Sequence, residues 1–174
     1  MDTLGIIEFQ GFKDDDNNFI VKELAMVSSS EQISMLFQAP YSTDCLRRET
    51  VQRNRWCTNN LHGIEWESGD VRYDLMQPSI LSFVKQYSRL VTKGLEKSNF
   101  LTELTLRKFT NLDDVIFCKK TELPHVEHMC FHKSDYACAM RNAKSLFKWL
   151  ERAQNASVVK DVFNIEQVVF NHEL

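Results

Sequence analysis

A chain of 174 residues, 43% hydrophobic and 26% charged, is long enough to bury one sizeable core and excludes a small stapled scaffold. A net charge of −3 leaves nucleic-acid binding to a local basic patch, and five glycines with three prolines exclude collagen-like repeats and long flexible linkers. The first residues lack a basic, apolar leader, no apolar run nears the roughly 20 residues of a membrane span, and an odd cysteine count suits reduced thiols. No membrane partner is expected, and the cytoplasm or nucleus is the expected compartment.

Residues 4–12, LGIIEFQGF, predict a buried strand, followed by a polar turn at 13–18, KDDDNN. Asp14 to Asp16 lack the spacing of a calcium loop and read as a hairpin tip. FIVKELAMV at 19–27 and ISMLF at 33–37 add two strands, so the chain opens with an antiparallel meander. After Pro40, residues 43–60 predict a helix capped by Thr43 or Asp44, with Leu46, Thr50, Val51, Asn54 and Cys57 as its buried stripe and Gly63 as its end. Its other face carries Arg47, Arg48, Arg53 and Arg55 beside Trp56. Guanidinium groups fork onto phosphates and an indole stacks on bases, so these five are the candidate single-stranded RNA contacts, against the plainer reading of a solvated helix face.

A loop at 64–70 precedes a helix over 71–87, with Pro78 near its first turn, and 88–92 predict a short strand. A further helix is expected from an N-cap at Ser98, and residues 109–115 read as a last strand or a turn. An irregular stretch, 118–133, leads to a helix capped by Ser134 or Asp135, whose core face is Met140, Ala143, Phe147 and Leu150. Residues 1–155 thus predict one domain, and 156–174 an apolar tail that packs on it or on a partner, a second copy included. Three antiparallel strands followed by strand–helix units give a mixed α/β sheet with flanking helices, the plan of an RNase H-like, DnaQ-like fold.

The stretch from His125 to Cys138 gathers three of the five histidines and two of the five cysteines in front of that last helix. Cys130 and His132 on a loop, with Cys138 near a helix start, have the chemistry of zinc ligands. Against this, free cysteines are often small buried apolar residues. A Cys57–His62 hydrolase has no oxyanion-hole signal to support it.

The element order resembles the DnaQ-like 3′–5′ exonucleases over roughly residues 4–152. That resemblance implies an acid pair on the first strand, an acid after the fourth and another by the last helix, holding two Mg²⁺ ions. This chain has Glu8 and Gln10 at the first station, Lys93, Glu96, Lys97 and Asn99 at the second, and Asn142 and Ala143 at the third. One glutamate does not hold two hard cations, so that chemistry is not expected. The set that stands there is similar to the Maelstrom domain, a DnaQ-like relative with a Glu-Cys-His-Cys zinc site. The resemblance implies Glu96, Cys130, His132 and Cys138 as ligands of a structural zinc, with His125 or His128 as substitutes. RNRW, HGIEW, VTKGLEK and CAMRN also resemble a pattern in Maelstrom-like invertebrate or mobile-element proteins. The implied function is a catalytically degenerate scaffold for RNA or protein, related to mobile elements or silencing. The alternatives are an atypical ribonuclease and a protein that dimerises through residues 156–174.

Overall fold

The computed structural model describes residues 3–114 and 123–155. Their architecture is α/β: one five-stranded mixed sheet with four helices. The strands are β1 (Leu4–Lys13), β2 (Phe19–Val27), β3 (Gln32–Leu36), β4 (Arg89–Thr92) and β5 (Thr110–Asn111). They lie in the order β3-β2-β1-β4-β5. β1, β2 and β3 form the expected antiparallel meander, while β4 joins β1 in parallel and β5 joins β4 in parallel.

The helices are α1 (Arg48–Cys57), α2 (Met76–Val84), α3 (Leu95–Thr105) and α4 (Ala139–Asn155). Strand alternation sorts side chains to two faces. Ile7, Phe9, Leu24 and Met26 pack against Ile80 and Phe83 of α2 and Leu101 of α3. Ile6, Ala25, Val27 and Val91 pack against Met140, Ala143, Leu146 and Leu150 of α4. The sheet is therefore buried on both sides, which accounts for the near-continuous apolar run of β2. Phe12, Ile20 and Trp66 form a third cluster near α1.

A bulge interrupts the β1–β2 ladder. Gln10 faces Glu23 and Gly11 faces Val21, which leaves Lys22 unmatched. Gly11 is required there, because a Cβ at that position would lie 2.0 Å from the Ile20 carbonyl oxygen. The fully buried Lys22 turns its ammonium to the carbonyls of Trp66, at 2.7 Å, and Ser68, at 2.5 Å. Burial lowers its pKa to about 8. Lys22→Met leaves both carbonyls without that donor, and a loss of roughly 2 kcal/mol in urea unfolding is expected. An unchanged midpoint would mean that this anchor contributes nothing.

Several expected boundaries move. The helix foreseen over 43–60 is split: a 3₁₀ turn at Thr43–Cys45 is followed by extended backbone at Leu46 and Arg47. Neither Thr43 nor Asp44 is its cap; Ser42 Oγ accepts from the Asp44 N–H at 3.3 Å. α1 starts later because Asp15 of the β1–β2 hairpin accepts from the Arg47 backbone N–H at 3.0 Å. Hydrogen bonds from Thr50 and from that N–H hold the Asp15 carboxyl below its usual range. The acidic tip is thus a cap supplied from a distance.

α3 begins at Leu95 after Gly94, whose φ is 116°, so Ser98 is no N-cap. It lies inside the helix and its hydroxyl donates to the Phe109 carbonyl at 3.2 Å. α4 begins at Ala139, beyond the predicted caps Ser134 and Asp135. The guanidinium of Arg141 instead binds the Ser134 and Tyr136 carbonyls, holding that segment as a turn. The expected tail, 156–174, lies outside the described residues, as does 118–122 of the irregular stretch. Among the described residues, no helix is long and apolar enough to cross a membrane.

Candidate metal centre

The end of α1 creates the platform for the site. After Cys57 the backbone widens into a π-turn, Thr58–His62, and stops at Gly63 with φ 71°. The last turn of a helix leaves carbonyls without intrahelical donors. Three are taken up by the segment before α4: Tyr136 Oη donates to the Asn59 carbonyl at 2.6 Å, the Ala137 N–H to Leu61 at 2.7 Å, and His132 Nδ1 to His62 at 2.5 Å. The soft-ligand loop is therefore pinned to a helix end some 70 residues earlier.

The His62 side chain supports this platform. Its ring is fully buried; Nδ1 accepts from the Ile64 N–H at 3.0 Å and Nε2 donates to the Gly11 carbonyl at 2.9 Å. Burial lowers its pKa, which suits this neutral tautomer. Both nitrogens are thereby committed to backbone groups, so His62 is not available as a base for Cys57.

Among the described residues, two groups of three candidate ligands share one sulfur. In His128–Cys130–Cys138 and in Glu23–His132–Cys138, the ligand atoms lie within 4.8 Å of one another. Glu23, His132 and Cys138 are all buried, whereas Cys130 is exposed. Glu23 comes from β2, on the face that α4 covers, and its Oε1 accepts from the Ala139 N–H at 3.1 Å. It caps α4 from another element, where a negative charge is favoured by the helix dipole.

The tautomer of His132 follows from its partners. A carbonyl only accepts, so Nδ1 carries the proton toward His62 and Nε2 is left facing Glu23 Oε2 at 2.8 Å. Two acceptors that close need a proton or a cation between them. A carbonyl behind the distal nitrogen is also how metal-binding histidines are commonly oriented. Cys138 lies 3.6 Å from Glu23 Oε1. Burial, with Glu23 and Cys130 nearby, pushes its thiol up to about 12, so without a cation it remains a thiol donating to that carboxylate. Burial also lowers the pKa of His128, keeping its imidazole neutral and able to ligate. The donor set of thiols, imidazoles and a carboxylate suits a borderline-soft divalent ion.

The structure thus brings together Cys130, His132 and Cys138 of the predicted quartet around Cys138. Glu96 is in neither group; it stands at the start of α3, exposed, 2.7 Å from Lys13 Nζ. Of the two predicted substitutes, His128 joins the cluster and the exposed His125 does not. Glu23 was missed, although Lys22-Glu23 inside an apolar strand was a readable signal. Neighbouring strand residues point to opposite faces, so two adjacent charges in a strand covered on both sides must each find a buried partner.

At the first-strand position, the Glu8 carboxylate is occupied by protein donors. Lys97 Nζ lies 2.8 Å from Oε2, while the Lys93 N–H at 2.8 Å and Thr92 Oγ1 at 3.1 Å reach Oε1. A lysine ammonium already neutralises the charge that a hard cation would need.

The five predicted RNA contacts are all exposed, at the N-cap of α1 and along it. Arg47 approaches Asp15 at 3.9 Å, and the Arg53 guanidinium binds the Lys13 and Asp14 carbonyls. Arg48 and Arg55 have no ion pair among the described residues, and Trp56 is 59% exposed. The chain matches no protein-family model and no curated protein.

Proposed function

We propose that this chain is a non-catalytic scaffold of the RNase H-like, DnaQ-like plan, of Maelstrom type, held together by a structural zinc and binding single-stranded RNA along α1. The zinc ligands are Glu23, Cys130, His132 and Cys138, which keeps the Glu-Cys-His-Cys order and replaces Glu96 by Glu23. His128 stands beside them. The observation that carries the reading is the buried Glu23–His132–Cys138 triad, with contacts of 2.8 and 3.6 Å and a protonated distal nitrogen on His132. A zinc tetrahedron with bonds of about 2.0–2.3 Å has edges of about 3.3–3.8 Å, so the 3.6 Å separation fits one and the 2.8 Å hydrogen-bonding contact would open by about 0.5 Å on binding.

The strand order β3-β2-β1-β4-β5 is compatible with the proposed plan, and the Glu8–Lys97 pair disfavours two-metal hydrolysis. The RNA part rests on the exposed Arg48, Arg55 and Trp56.

Elemental analysis of purified protein is expected to give about one equivalent of zinc, and chelation should lower the unfolding temperature sharply. Stable protein free of metal would sink the zinc. Changing Arg47, Arg48, Arg53 and Arg55 together to Ala should weaken single-stranded RNA binding and flatten its salt dependence, by about one slope unit per lost phosphate contact. Arg48 and Arg55 should account for most of the loss. Binding with an unchanged salt slope would remove α1 as the RNA surface.

A further inference from the structure

A second cavity, apart from the metal cluster, opens between the last residues of β1, α1 and the start of α3. Its volume is about 420 Å³, within the range of small-molecule sites. Phe9, Phe12 and Phe19 line it, and Leu61 and Leu95 are 42% and 61% exposed beside it. Two exposed leucines from different elements lining one aromatic cleft form an apolar surface with no partner among the described residues.

Among the polar groups of this cleft, which include Gln10, Asn54 and Glu96, two lysines are held against its rings. Lys13 Nζ sits 4.9 Å from the centre of the Phe19 ring, and Lys97 Nζ 5.4 Å from that of Phe9. Arg53 also lines the cleft, and its guanidinium is bound to carbonyl oxygens. Against these three cations stand three carboxylates, Glu8 on Lys97, Glu96 on Lys13 and Asp15 near Arg53; the last is already held by the Arg47 N–H. The two lysine pairs differ. Glu8 is 2% exposed and has further donors, whereas the side chain of Glu96 is 68% exposed and, among the described residues, pairs with Lys13 alone. An exposed ion pair of this kind contributes little to stability. Lys13 therefore already binds a carboxylate at the edge of an aromatic cleft, and that carboxylate is easily displaced.

We infer that the cleft is a binding site for an aryl or alkyl monocarboxylate, with its apolar body against Phe19 between Leu61 and Leu95, over the buried Phe9 and Phe12, and its carboxylate taking the place of Glu96 on Lys13. The site requires nothing of the metal cluster and stands or falls apart from the zinc reading. Apolar walls supply the affinity that a lone exposed ion pair lacks.

The test is titration of the full chain with 1-naphthaleneacetate, followed by calorimetry and methyl NMR. Leu61 and Leu95 resonances are expected to shift, saturating in the micromolar to low millimolar range. The neutral amide, 1-naphthaleneacetamide, should bind at least tenfold more weakly, and Lys13→Met should weaken the acid by a similar factor. Glu96→Gln should tighten it several-fold, because it removes the competing carboxylate; this gain does not arise from a damaged fold. Inorganic phosphate alone should leave the leucine methyls unmoved. Equal binding of acid and amide, or an unchanged affinity in Glu96→Gln, overturns the inference. So does adenosine 5′-monophosphate binding in the same cleft more tightly than the naphthyl acid, which would make it a nucleotide site.

Discussion

Glu23→Gln is expected to remove the metal from purified protein and to destabilise it by roughly 3 kcal/mol, while Glu96→Gln leaves zinc content and stability as they were. Glu23 is buried and has three partners: the Ala139 N–H, His132 Nε2 and the Cys138 thiol. Gln retains the shape and its NH₂ can donate to His132 Nε2, but it cannot ligate a cation through that nitrogen and it loses the charge that offsets a dication. Breaking a buried charge cluster on one side leaves the other members uncompensated, which is why the loss is large. Among the described residues Glu96 pairs only with Lys13, at the surface, where such pairs contribute little. Elemental analysis of dialysed protein, with urea unfolding beside it, reads both variants. Loss of zinc in Glu96→Gln with retention in Glu23→Gln would return the fourth ligand to α3.

Gly11→Ala is expected to cost roughly 3 kcal/mol or more, near the upper end for overpacking, because the added methyl meets backbone. Its Cβ would stand 2.0 Å from the Ile20 carbonyl oxygen and 2.9 Å from the Lys22 nitrogen, and neither can turn aside as a side chain would. The Gly11 carbonyl accepts from His62, and the His62 carbonyl accepts from His132. Zinc affinity should therefore fall together with stability. Chemical unfolding and a competitive zinc chelator measure the two effects. A variant with the midpoint of the parent protein would show that the β1–β2 ladder closes without this bulge.

What could be read from the residues was mostly local. Alternating and apolar runs located β1, β2 and β3, and spacing by three and four located the core face of α4 at Met140, Ala143 and Leu150. Helix starts were hidden because the groups that cap them come from elsewhere in the chain. Asp15 caps α1 across 32 residues and Glu23 caps α4 across 116, and neither lies in the window that a local capping rule inspects. The loop ligands were legible, since Cys130, His132 and Cys138 crowd one segment. Their carboxylate partner was not, because bringing a carboxylate to an imidazole across 109 residues depends on the sheet register. In that register, the bulge at Lys22 decides which way Glu23 faces.

The pinning of the loop to the end of α1 also sets an order of assembly. His132 meets His62 across 70 residues and Glu23 across 109, so the metal cluster closes the longest loops among these contacts. Loop closure of that span carries an entropy cost that must be met before any ligand contact rewards it. During synthesis, β1 and β2 emerge first and their second face, with Ile6, Ala25 and Val27, stays wet until α4 follows. The proposed zinc would thus act late, on a sheet already formed, and a cell short of it would accumulate chains whose sheet is complete and whose covering helix is undocked. Such chains expose an apolar sheet face, and aggregation rather than unfolding is then the fate that limits their yield.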